Sequence, residues 1–261
     1  MVIGLILNIA ICFAITVSSF TLAWVLYRSK EEHSENSCTA LRMLVIFWVF
    51  VGLTYLPTMI RMIAAYFNCP EMDLIMYNIA SIPFAFVSVP LVYFIIYVII
   101  GNRTISRILS GIFALFGLAY LVILNTFGVR GPMVTEWASL YTINSDVAIH
   151  IYLIGQFVIP TAMLLGLLCL LLFRRLPKNL RYRTILPLVA ISFVFDFMLT
   201  DVVTVIDVMQ LSARLFVLMG TILAYLAYFP PLTLQDKLRF NKRQYDLAEE
   251  DDIGDERVPE V

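Results

Sequence analysis

Five ionisable residues sit where their neighbours are almost all apolar. Asp196, Asp201 and Asp207 punctuate one such stretch, and Arg61 and Arg214 fall in two others. Charged groups in apolar surroundings are costly, so they pair with one another or face a cavity. The chemistry open to them is binding, either as carboxylate–guanidinium pairs or with a guanidinium reserved for an anionic ligand. Counting about 1.5 Å per residue from Arg183, Asp196 falls roughly 20 Å and Asp201 roughly 27 Å along a helix, with Asp207 near its far end. At about 100° per residue, Asp196 and Asp207 share a stripe while Asp201 is turned away by about 140°. Tyr55, Asn78, His150, Tyr152 and Gln156 fall at the level of Arg61 and Arg214. Together these residues read as a pocket opening outward, with Asp196 its deepest polar element. The competing reading is structural: Arg61 or Arg214 pairs with Asp207, and Asp196 is protonated or bonded to a neighbouring helix. His150 has an ordinary pKa near 6.5 that permits pH sensing, though an interfacial side chain explains it as well.

Familiar catalytic constellations are absent. A retinal Schiff base needs a lysine in the last span, and the four lysines, Lys30, Lys178, Lys237 and Lys242, all fall between or beyond the apolar runs. His33 and His150 are the only histidines, too few and too far apart for paired haem ligands or a zinc hydrolase. No Gly-x-Gly-Asp motif, phosphate loop or nucleophile elbow occurs. The reading is of a protein that is not an enzyme, with no metal, no cofactor and no nucleic-acid partner.

The elements that must position these residues follow from hydropathy. Of 261 residues, 61% are hydrophobic and 14% charged, against about 25% charged in soluble domains. Runs long enough to cross about 30 Å of hydrocarbon occur at 2–27, 41–66, 74–100, 107–129, 148–173, 184–207 and 211–230. All of the 18 basic residues except Arg61, Arg130 and Arg214 fall in alternate connections or the tail. Because cytoplasmic loops collect Lys and Arg, the N-terminus is expected outside and the C-terminus in the cytoplasm. The fold class is therefore an all-α polytopic membrane protein with seven transmembrane helices, most simply in the plasma membrane. The first run has no basic segment before it and is expected to remain uncleaved. Asn102-Arg103-Thr104 matches a glycosylation acceptor, but this topology places it inside, unmodified. The cysteines share no oxidising compartment, so no disulfide is expected. Prolines 57, 83, 90, 160 and 187 interrupt the spans and are candidate kinks.

Residues 1–231 form the seven-helix domain in this reading. The outer connection 130–147 suits either a lid over the pocket or an interfacial segment anchored by Trp137 and Tyr141. Residues 232–247 carry Lys237, Arg239, Lys242 and Arg243 among Leu234, Leu238 and Phe240, as expected of an amphipathic segment on the inner membrane surface. Residues 248–261 are strongly acidic and are expected to be a disordered tail. Arg174, Arg175 and Lys178, with the basic residues of 232–247, are candidates for binding a cytoplasmic partner.

The run Val89-Pro90-Leu91-Val92-Tyr93-Phe94 leading to Gly101-Asn102-Arg103, and the outer stretch from Trp137 to His150, resemble the heptahelical sensor region of prokaryotic histidine kinases. That resemblance implies a sensor or receptor-like protein taking a small ligand from outside. No kinase follows here, so the signal is expected to pass to a separate cytoplasmic or membrane partner. Asp-Arg-Tyr and Asn-Pro-x-x-Tyr motifs of eukaryotic-type G-protein-coupled receptors are missing after spans three and seven. Two alternatives stand beside the sensor. One is a non-catalytic accessory subunit of a larger membrane complex; the other is a small secondary transporter using Asp196 and Asp201, for which inverted repeats would be expected.

Overall fold

The computed structural model describes residues 2–29, 35–173, 178–204 and 206–229. Seven helical segments within it are long and apolar enough to cross a membrane. They are α1 (Val2–Ser29), α2 (Glu35–Tyr66), the pair α3 (Pro70–Phe86) and α4 (Ser88–Ile100), α5 (Arg103–Phe127), the segment ending in α7 (Ile159–Phe173), α8 (Lys178–Val203) and α9 (Asp207–Tyr228). Each packs on its neighbours in chain order, and α1 closes the ring against α9. On α5 the residues Ile108, Ile112, Leu115, Leu118 and Val122 recur every three or four positions and are exposed. An apolar stripe turned outward is the reverse of a soluble helix and is what lipid requires.

Two spans are broken where proline removes a backbone donor. Pro90 cannot donate to the carbonyl of Phe86, four residues earlier, and α3 stops there; Val87 bonds only three residues back, to Phe84 O at 3.3 Å. Before Pro160 the chain widens into a π-helical segment, Tyr152–Val158, preceded by the short α6 (Asp146–Ile151). Gln156 lies in that widened segment. It is buried, accepts a bond from Ser88 and donates to Phe113 O at 3.0 Å, tying the start of α4 to α5.

The connection 130–147 adds a small non-helical element to the expected all-α bundle. Its centre is an antiparallel hairpin, β1 (Val129–Val134) and β2 (Ser139–Ile143), with register Val129↔Ile143, Arg130↔Thr142, Met133↔Leu140 and Val134↔Ser139. The bulge between Arg130 and Met133 falls at Gly131-Pro132, where proline has no N–H for the ladder. Thr135 closes the turn by bonding Ala138 O at 2.8 Å through its N–H. One edge of the hairpin is buried among the helices: Ala138, Ser139, Leu140 and Tyr141 are all inaccessible or nearly so. Gly4 of α1 permits this seating, because a Cβ there would lie 2.5 Å from Glu136 O.

Candidate functional site

Two short turns assemble the polar end of the bundle. Between α2 and α3, Asn68 takes a left-handed conformation (φ 55°) and Pro70 starts the next helix at once. This tight reversal sets Asp73, in the first turn of α3, beside Arg61 near the end of α2. Arg214, two turns into α9, comes back alongside Asp201 near the end of α8. Asp207 opens α9, its Oδ1 accepting from Val208 N at 2.8 Å.

Each arginine is therefore buried against a carboxylate. Arg61 Nε lies 3.0 Å from Asp73 Oδ1, and its Nη2 donates to Ser139 O at 3.1 Å. The Ser139 hydroxyl donates to the other oxygen of Asp73. The guanidinium also rests 4.8 Å and 5.0 Å from the ring centres of Tyr77 and Tyr141, which touch one another. Arg214 Nε bonds both oxygens of Asp201, at 2.9 and 3.1 Å, and Nη1 donates to Asn8 Oδ1 at 2.7 Å. Asn8 in turn donates to Trp137 O, also at 2.7 Å. Both pairs thus reach the hairpin, one directly through Ser139 and the other through Asn8.

Between the pairs lies a cavity of about 50 Å³ walled by α2, α3, α5, α8, α9 and the hairpin, with Arg61, Arg214 and Asp201 in its lining. An apolar cavity of about 150 Å³ holds benzene, so this one suits a smaller polar species or a few waters. Three of its lining atoms are buried and find no hydrogen-bond partner among the described residues: Tyr55 Oη, Tyr141 Oη and Gln210 Oε1. Buried polar atoms are normally satisfied, which makes this convergence informative. Burial and the Asp73 carboxylate together push the Tyr141 phenol up to about 12, so it remains a neutral donor.

The residues singled out in the sequence divide sharply. Arg61, Asp201, Arg214 and Tyr55 come together at this cavity. Asp196 does not: it is half-buried on α8 and accepts a bond from Thr161 of α7 at 2.8 Å. Pairing of Asp207 with either arginine is overturned, since their carboxylates are Asp73 and Asp201. The shared stripe of Asp196 and Asp207 also fails, because α8 ends at Val203 and the two residues belong to different helices. Asn78 is exposed on α3, and His150 is exposed with its Nδ1 2.6 Å from Asp146 O. Gln156 serves the α4–α5 junction described above, and the Tyr152 side chain lies outside the described residues. So do Arg174, Arg175 and the segments 232–247 and 248–261; Lys178 begins α8, its side chain likewise outside them. Asp73, Asn8 and Ser139 were not anticipated. Asn8 is a lone amide in a long apolar run, a signal of the same kind as Asp196; Asp73 looked like part of a connection.

The chain is an integral membrane protein of seven helical spans with a buried polar cavity at one end. No family model, curated protein or solved structure matches it. Among the described residues no three His, Cys, Asp or Glu side chains converge as a metal site would require.

Proposed function

We propose that this chain is a seven-transmembrane sensor, taking a small polar ligand at the hairpin end, which faces outward, and signalling through a separate partner on the other side. The observation that carries this reading is the set of three unpartnered polar atoms in a cavity between two buried ion pairs. Buried ion pairs are weak devices for stability, and an intramembrane ionisable group is by default a functional one. The ligand class follows from the lining: two phenol donors, one amide acceptor and two guanidiniums whose charge Asp73 and Asp201 already balance. A small polar molecule offering both donors and acceptors fits; a large apolar one does not. Because both pairs bond to the hairpin, a ligand that displaces Tyr141 or redirects an arginine moves the hairpin relative to α1, α2 and α9. No catalytic step is assigned.

The test is native mass spectrometry of the full chain extracted gently from its own membrane, comparing the parent with Tyr55→Phe and Gln210→Leu. Tyr55→Phe removes the unpartnered hydroxyl alone, whereas Gln210→Leu also removes the bond that its Nε2 donates to Asp201 O at 3.0 Å, so the folded state of that variant is checked by its thermal midpoint. The proposal expects a small bound species on the parent, retained about tenfold less in each variant, a loss equivalent to about 1.4 kcal/mol. Equal retention by folded variants, or no bound species from any source membrane, contradicts it.

A further inference from the structure

A second cavity opens at the opposite end of the bundle, where the basic connections gather. It is about 500 Å³ in volume, within the range of about 300–1,000 Å³ typical of ligand pockets, and lies between α2, α4 and α5. Its residues are sorted by depth. Arg42, Arg103 and Arg107 stand at the helix ends that form the mouth, while Ile46, Phe50, Val89 and Tyr93 form the deeper wall. From Arg42 to Phe50 the wall runs about 12 Å along α2. None of the lining residues is acidic. Arg42 and Arg107 are exposed, so their guanidiniums are reachable from the membrane surface. The positive end of α5 begins at the same mouth, with Asn102 capping it through bonds to Thr104 N and Ile105 N. Gly111 lies one turn below Arg107 and lines the groove; a Cβ there would touch nothing within 4 Å.

We propose that this groove is a binding site for one anionic phospholipid, its phosphate held by Arg42 and Arg107 and an acyl chain lying along Ile46, Phe50 and Tyr93. Surface arginines near any membrane attract anionic headgroups weakly. Here the arginines cap an apolar slot of defined depth, which selects a molecule carrying negative charge and a hydrocarbon chain together. A free oxyanion matches the mouth and leaves the slot unfilled. The acidic residues 248–261 match the mouth too, yet offer little to the apolar wall.

The full chain in mixed phosphatidylglycerol and phosphatidylcholine nanodiscs, ejected for native mass spectrometry, tests the assignment. The parent should retain a phosphatidylglycerol in preference to phosphatidylcholine. Replacing both arginines (R42Q with R107Q) should reduce that preference about tenfold. Gly111→Phe, which fills the slot and keeps both arginine charges, should displace the lipid while helix content and thermal midpoint are kept. Equal retention of the two lipids overturns the proposal, as does unchanged preference in both folded variants. Inorganic phosphate binding in lipid-free detergent with the same dependence on Arg42 and Arg107 would assign the mouth to a free anion instead. Lipid retention that appears only after residues 248–261 are removed would make the acidic tail the occupant.

Discussion

Arg61 and Arg214 owe their positions to partners that differ in kind from Asp196. Asp73 and Asp201 each face a guanidinium out of water, so removing either charge leaves an uncompensated cation; such losses run to about 3–5 kcal/mol. Asp196 is half-buried with one hydroxyl donor, and asparagine accepts the same bond. Thermal unfolding of the purified chain should therefore show large drops for Asp73→Asn and Asp201→Asn, and a change within about 1 kcal/mol for Asp196→Asn. A larger loss at Asp196 than at Asp73 would refute this ranking. Tyr141 adds a pH dependence with a definite sign. Its folded pKa, about 12, lies above the ordinary 10.0, so its contribution to stability is complete below pH 10 and is lost as pH rises through 12. The thermal midpoint of the parent should fall more steeply across that window than that of Tyr141→Phe; parallel curves would deny the shift. Depth along each helix was legible in the sequence, which is why Arg61, Asp201, Arg214 and Tyr55 were found. The direction each side chain faces was not, because it depends on the rotation of neighbouring helices; Asn78 and His150 share the level and point away.

At the scale of elements, glycine separates contact from open space on a single helix. A Cβ at Gly117 of α5 would meet Ala85 O at 2.3 Å, whereas one at Gly111 meets nothing. Gly117→Ala should therefore destabilise by about 1–3 kcal/mol through overpacking against a backbone that cannot swing aside. Gly111→Ala should gain up to about 1 kcal/mol from helix propensity. Melting curves of the two variants in the same detergent check the opposition, and equal shifts would count against the α3–α5 contact. Proline positions were readable as possible breaks, and Pro90 and Pro160 do mark the end of α3 and the π-helical widening, while Pro57 and Pro187 lie inside continuous helices. The hairpin was illegible for a physical reason. Its strands are five and six residues long, β1 holds Gly131-Pro132, and its inward edge is defined by helices distant in sequence. Asp207 was misplaced by the same route: a helical wheel assumes an unbroken helix, and α8 ends before it.

For the whole molecule, seven apolar runs sufficed to place the spans because each exceeds the length lipid demands, independent of packing. Which end faces out rests on the distribution of Lys and Arg, and single-cysteine variants read it directly. Cys69 is exposed in the turn at the hairpin end, and Cys38 lies in the first turn of α2 at the other. A membrane-impermeant maleimide should label Cys69 in intact cells and Cys38 only after permeabilisation; the reverse pattern would invert the proposed orientation and move the polar cavity to the cytoplasmic side. The proposed sensor requires the hairpin to join both buried ion pairs and the cavity into one responsive unit. A double-mutant cycle between Asp73→Asn and Asp201→Asn, read by unfolding free energy, tests it most directly. Sites without shared partners add to within about 0.3–0.5 kcal/mol, so pairs joined through the hairpin should show a coupling clearly above that, in the range of about 0.5–3 kcal/mol. Strict additivity would mean that the two pairs are separate clamps and that the hairpin merely covers them.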